Sequence, residues 1–143
     1  MKEDTSSEYV YWMLLQVAFR AKHGLMKLAE KHNLTVVQLH ALGAMNPGES
    51  IPMNALSCIL LCDASNITGI VDRLLAGGYI ARVEKPEDRR VKMITLTKSG
   101  EALRTQLFNE MPGYELPEFQ RLSAQQHAEL KKILLIILQP PQI

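Results

Sequence analysis

Residues 63–97 read DASNITGIVDRLLAGGYIARVEKPEDRRVKMITLT, and this stretch decides the fold. Ile67, Ile70, Val71, Leu74 and Leu75 recur at i, i+3, i+4, i+7 and i+8, one apolar stripe of a helix. The opposite face carries Ser65, Asn66, Thr68, Gly69, Asp72, Arg73 and Ala76, small or polar side chains suited to close approach by another surface. Asp63 stands where an N-cap is needed, and Gly77-Gly78 supplies the left-handed residue that ends a helix. Tyr79, Ala81 and Val83 then alternate with Ile80, Arg82 and Glu84, and Met93, Thr95 and Thr97 alternate with Ile94 and Leu96, which predicts two strands. Between them KPEDRR is polar and carries a proline, as a hairpin tip does.

Working outward, Met53 to Leu61 predicts a short helix with Leu56, Ile59 and Leu60 inward, and Cys62 to Ala64 a turn. Ser50-Ile51-Pro52 suits a short edge strand beside the hairpin. Helix, turn, polar-faced helix and a hairpin with basic residues at its tip form the layout of a winged helix-turn-helix. Upstream, Asn33-Leu34-Thr35 caps a helix whose apolar face is Val36, Val37, Leu39, Leu42 and Met45, closed by the turn Asn46-Pro47-Gly48. Downstream, Thr97 caps a helix from Lys98 to about Met111 anchored by Leu103 and Leu107. Pro112-Gly113 and Pro117 then break the chain into a loop.

The two ends carry more apolar surface than one small domain needs. Residues 6–31 predict a long helix with one stripe of Val10, Met13, Leu14, Val17, Ala21, Leu25 and Leu28 and a second of Trp12, Leu15, Phe19 and Met26. A helix apolar on two sides must be covered on two sides. Its own domain and a second copy are the natural covers; burial wholly within one chain is the alternative. Ser123 caps a last helix with Leu130, Ile133, Leu134, Ile137 and Leu138, and its final turns, ILLIIL, also require a partner surface. The fold class is therefore mainly α (α+β), one domain over residues 1–143. A winged-helix lobe at 34–100 is flanked by dimerisation helices at 6–31 and 101–139.

Sixteen Lys and Arg against 15 Asp and Glu leave a net charge of +1, so global basicity says nothing about nucleic acid. The local balance does: Arg73, Arg82, Lys85, Arg89, Arg90, Lys92 and Lys98 collect around the hairpin. The N-terminal run VYWMLLQVAF is too short for a membrane span and follows acids, not cations, which points to a cytoplasmic protein with no membrane partner. Two cysteines give no disulfide framework. No Gly-rich phosphate loop, H-E-x-x-H or nucleophile elbow is present, so no enzyme activity and no cofactor are expected. His23, His32, His40 and His127 lack tight ligand spacing, and no metal is expected.

The runs TGIVDRLLAGGYIAR, DRR and ITLTKSG, preceded by Leu34, Thr35 and Gln38, resemble the multiple-antibiotic-resistance regulator (MarR) family of transcription factors. The motifs cover Leu34 to Gly100, and length and helix order agree over the whole chain. The resemblance implies a homodimer, typically a repressor, on a pseudo-palindromic duplex. It also implies release by a small aromatic ligand held between the dimer helices and the DNA-binding lobe, with Tyr11, Trp12, Met13, Phe19, Met26 and His40 as candidate lining. The family's D-x-R pattern falls on Asp88 and Arg90. That implies an Arg90 guanidinium directed by Asp88 into a minor groove, where negative potential concentrates.

The residues themselves support DNA contact. Ser65, Asn66, Thr68, Gly69 and Arg73 form a narrow face rich in hydrogen-bonding groups, as entry into the major groove requires. Arg89, Lys85 and Lys92 are placed to neutralise phosphates. Two blander readings stand beside these: Thr68 bonding only its own helix, and Arg73 paired with Asp72 or Asp88. Cys58 and Cys62, at i and i+4, form an oxidation switch or simply fill apolar space. Peroxide-sensing relatives place the reactive cysteine near the first helix, where this chain has none. The rival function is a winged-helix module that binds protein.

Overall fold

The computed structural model describes residues 6–85, 87, 88 and 90–139. The elements are α1 (Ser7–Lys31), α2 (Val36–Ala44), β1 (Ser50–Pro52), α3 (Met53–Leu60), α4 (Ala64–Ala76), β2 (Ile80–Glu84), β3 (Lys92–Leu96), α5 (Lys98–Glu110) and α6 (Ala124–Ile137). Contacts divide the chain into two compact units. One holds the described residues up to Ala21 and from Glu115 onward; the other is Lys22–Tyr114.

Local chemistry starts the helices where the caps lie. Thr35 Oγ1 accepts the Gln38 N–H while the Gln38 side chain accepts the Thr35 N–H, a reciprocal capping box. Ser123 and Gln126 repeat the box at α6, and Thr97 caps α5 through the Gly100 N–H. α3 and α4 cross at 107°, the sharp bend of a helix-turn-helix. The turn between them begins at Leu61, which adopts left-handed backbone angles of φ 51° and ψ 43°. At the far end of α4, Gly77 stays right-handed and Gly78 makes the left-handed step at φ 73°.

The sheet runs β1-β3-β2, antiparallel throughout. Ile51 faces Ile94 across β1–β3, and Ile80 faces Leu96 across β2–β3. Ile80, Ile94 and Leu96 are buried with Leu56 of α3 and Ile67, Val71 and Leu74 of α4. Leu28 of α1, Leu39 and Leu42 of α2 and Leu107 of α5 complete one core. The hairpin is locked at its base, where the Thr97 hydroxyl donates to the Gly78 carbonyl at 2.6 Å and the Thr97 N–H to the Tyr79 carbonyl at 3.0 Å. Gly100 lets the first turn of α5 press on this base: a Cβ there would lie 1.9 Å from the Tyr79 carbonyl oxygen.

Three expectations need correction, and one alternative falls away. Ile59 is 44% exposed, because the buried line of α3 passes through Leu56 and leaves Ile59 on its flank. Val37 is 40% exposed, and the polar Gln38 is buried in its place, its amide spent on the Thr35 cap. The expected loop after Met111 contains two turns of 3-10 helix, Met111–Tyr114 and Pro117–Arg121. The long first helix is not covered within one chain: Val10, Trp12, Met13, Val17 and Phe19 are all exposed.

Within Lys22–Tyr114, Glu110 ties the end of α5 to the end of α1. Its Oε2 lies 2.9 Å from Lys31 Nζ and 3.0 Å from His32 Nε2, and its Oε1 accepts from Gln106. Hydrogen bonding by Lys31, then His32 and Gln106, holds the carboxyl down to about 2. The same contact raises the Lys31 ammonium.

Candidate nucleic-acid interface

α4 buries Ile67, Val71 and Leu74 and turns Ser65, Asn66, Thr68, Gly69, Asp72 and Arg73 outward; all six are exposed. Asp63 sets its entry: Oδ1 accepts the Asn66 N–H at 2.9 Å and the Ser65 hydroxyl at 2.8 Å. Those two bonds, the backbone one foremost, hold the Asp63 carboxyl below its usual range. Ser65 thus spends its proton on the cap and presents oxygen lone pairs outward. Thr68 does likewise, donating to the Ala64 carbonyl at 3.0 Å, so the blander reading of Thr68 holds for its hydroxyl proton. Both oxygens then suit exocyclic amines of cytosine or adenine. The Asn66 amide has no partner among the described residues and keeps both donor and acceptor.

Arg73 pairs with neither Asp72 nor Asp88. It lies on a flank of α4 and borders a hollow of about 550 Å³ shared with His32, Asn33, Leu34, Thr35, Gln38 and Tyr79. Asp72 is taken instead by Arg82 of β2, whose Nη2 donates to Oδ1 at 2.9 Å. Arg82 counts among the hairpin cations in the sequence but not among the residues expected to contact DNA, and its pairing with Asp72 was not expected. The available signal was its place on the same side of β2 as the buried Ile80, which directs it toward α4.

At the wing, Asp88 Oδ1 accepts the backbone N–H of Arg90 at 3.0 Å. The contact expected with the Arg90 guanidinium is thus replaced by one to main chain, because an aspartate two residues before an N–H closes a tight turn. Lys85 Nζ stands 3.9 Å from Glu87, and the Asp88 N–H donates to the Lys85 carbonyl. Arg90 and Lys92 are exposed and meet Met53 and Asn54, at the start of α3, around a hollow of about 300 Å³. Arg89 lies outside the described residues. The structure therefore joins the recognition face and the wing cations through α3, with the Arg82–Asp72 pair as a second bridge.

The other candidates are dispersed. Tyr11, Trp12, Met13 and Phe19 belong to the first unit and are exposed; Met26 and His40 belong to the second. Met26 borders a hollow of about 410 Å³ with Ala29, Glu30, Asn33 and Val36. Cys58 is exposed and Cys62 half-buried against the core, both as free thiols. Among the described residues no three His, Cys, Asp or Glu side chains converge as metal ligands, and no single helix is long and apolar enough to cross a membrane.

A short helix bent sharply into a polar-faced one, followed by an antiparallel hairpin with cations at its tip, defines a winged helix-turn-helix protein of the DNA-binding class. Comparison with known proteins gives the family. Residues 30–92 match the MarR family model. The chain is 31% identical over 108 residues to the multiple antibiotic resistance protein MarR of Salmonella typhimurium, covering 74% of each. It is 29% identical over 94 residues to the transcriptional activatory protein BadR of Rhodopseudomonas palustris, covering 64% of this chain and only about half, 54%, of BadR. Its fold matches a mutant of MarR from E. coli complexed with operator DNA at a TM-score of 0.73 and 22% identity, over 91% of this chain and 94% of that one. The chain belongs to the MarR family of transcriptional regulators.

Proposed function

We propose that the protein is a cytoplasmic, homodimeric repressor that binds a pseudo-palindromic operator and is released by a small aromatic ligand. The observation that carries the DNA reading is the recognition face. Ser65, Asn66, Thr68 and Gly69 stand clear of the core on a helix that buries Ile67, Val71 and Leu74 on its other side, with Arg90 and Lys92 beside the neighbouring helix. The E. coli MarR of like fold was crystallised with operator DNA. Dimerisation is supported by the apolar side chains that one chain leaves uncovered. These include Val10, Trp12, Val17 and Phe19 of α1 and Ile133, Leu135, Ile136 and Ile137 of α6. Two-fold symmetry then requires half-sites about one helical turn apart.

Repression follows from occupancy alone, since a dimer clamped on a promoter excludes other proteins, whereas activation needs a further contact. The effector's candidate contacts are Tyr11, Trp12, Met13 and Phe19 in one unit and Met26 and His40 in the other; an aromatic ligand with different affinity in the two states would shift the chain away from DNA. The test is selection of duplexes from a random pool by the purified protein at moderate salt, followed by transcription in vitro from a promoter carrying the recovered motif. One symmetric motif and reduced transcription are expected. A pool that stays unenriched overturns the DNA reading, and increased transcription overturns the repressor reading alone.

A further inference from the structure

Leu61 is the least economical residue on the surface of the helix-turn-helix. It is 92% exposed, the highest exposure of any large hydrophobic side chain among the described residues. It also holds left-handed backbone angles, which a branched side chain resists and glycine adopts freely. The turn is well built around it: its own N–H donates to the Cys58 carbonyl at 3.3 Å, and the Cys62 N–H to the Ser57 carbonyl at 3.1 Å. This is the hydrogen-bonded helix ending in which glycine is the usual residue. A glycine here would relieve the backbone and remove the exposed isobutyl group together, so neither folding nor solubility accounts for a leucine. Strain retained at such a position points to use.

Its place says what the use is. Leu61 lies two residues before Asp63, the cap of α4, and four before Ser65, the first outward residue of the recognition face. In a docked helix-turn-helix the first helix crosses the sugar–phosphate backbone and the start of the second meets base edges. The turn joining them therefore passes over the rim of the major groove. The one apolar feature a base edge offers there is the thymine 5-methyl group.

We propose that Leu61 is a specificity-determining residue, its isobutyl group packing on a thymine 5-methyl at the edge of each half-site. The assignment rests on the DNA reading and adds to it an apolar contact that the polar recognition face does not supply. The left-handed turn is what carries the side chain outward from the protein.

The test uses the full-length protein and the duplex recovered by selection, with each symmetric pair of thymines replaced in turn by uracil, which lacks only the methyl group. Burial of one methyl corresponds to roughly a fourfold change in affinity per half-site. Wild type should weaken by about that factor per half-site at one symmetric pair. Leu61→Gly should bind the unmodified duplex more weakly by a similar factor and be indifferent to uracil at that pair alone. Its melting temperature should equal or exceed that of wild type, which separates a lost contact from a lost fold. Wild-type affinity in Leu61→Gly, or weaker binding with the uracil effect intact, overturns the assignment while leaving the DNA reading in place. A wild-type protein that enriches no duplex overturns both.

Discussion

The guanidinium of Arg82, on the first strand of the hairpin, donates to the Asp72 carboxylate on the recognition helix at 2.9 Å. Asp72 sits on the exposed side of α4, the face proposed to meet DNA, where an uncompensated carboxylate would repel phosphate. Arg82 cancels that charge and couples the wing strand to the helix. Both side chains are more than half exposed, so the pair itself contributes only about 0–1 kcal/mol to stability. Arg82→Ala should therefore leave the melting temperature nearly unchanged and weaken operator binding about tenfold, through one lost cation and one unmasked anion in each half-site. Asp72→Ala added to Arg82→Ala should recover part of the loss. A double-mutant cycle by fluorescence anisotropy checks it; additive losses would remove the pair from the interface.

Arg90 gives the complementary case. It is exposed beside Lys92 and Asn54 and carries no ion pair among the described residues. Arg90→Ala should lower operator affinity with little change in melting temperature. The log–log salt slope of a dimer with about ten phosphate contacts should lie near −9, and the variant should flatten it by about 2. An unchanged slope would place Arg90 away from the backbone.

Gly69 and Gly100 look alike in sequence, each a glycine within a helix, yet they predict opposite results. A Cβ on Gly69 meets nothing within 4 Å, while one on Gly100 would lie 1.9 Å from the Tyr79 carbonyl oxygen. Gly69→Ala should stabilise the fold by roughly 0.5–1 kcal/mol from helix propensity. It should also weaken DNA binding, because it adds bulk at the centre of the recognition face. Gly100→Ala should destabilise by roughly 1–3 kcal/mol as α5 is pushed off the hairpin base. Chemical denaturation of both variants, read with their operator affinity, checks the contrast.

The Glu110 carboxyl is held at about 2, below its unfolded value of 4.5. A depressed carboxyl stabilises the fold in full above the unfolded value and loses that contribution as pH falls from about 4.5 toward 2. Melting temperature should thus decline over that window. Glu110→Gln should lower stability near pH 7 and flatten the decline, because the amide keeps hydrogen-bonding capacity but not the charge that faces Lys31. A wild-type melting temperature independent of pH across that window would remove Glu110 as a source of acid sensitivity.

Ile136 is 70% exposed on α6, among the apolar side chains left uncovered by a single chain. Ile136→Asp should yield a monomer in sedimentation equilibrium while circular dichroism keeps its helical signal. Operator affinity should fall by at least a hundredfold, because each half-site then binds alone. A wild-type chain that sediments as a monomer would already contradict this.

Much of the molecule is legible in its sequence. Thr35, Asp63, Thr97 and Ser123 announce their helices because a cap is satisfied within three residues of chain. The stripe Ile67, Val71 and Leu74 announces both the core side of α4 and, by subtraction, its outward face, because a helix has only two sides to divide. The hairpin and its cations follow from alternation and a polar tip. These are short-range properties, and the sequence is sufficient for them.

Tertiary structure decided which long-range partner each group took. Asp72 found Arg82 instead of its neighbour Arg73, and Glu110 gathered Lys31 and His32 from the end of α1. Periodicity also placed Ile59 and Val37 inside, but a short helix buries only the line its neighbours cover. Caps, stripes and turns are determined within a few residues. Pairings between elements depend on the positions that packing assigns, and those exist only once the core has closed.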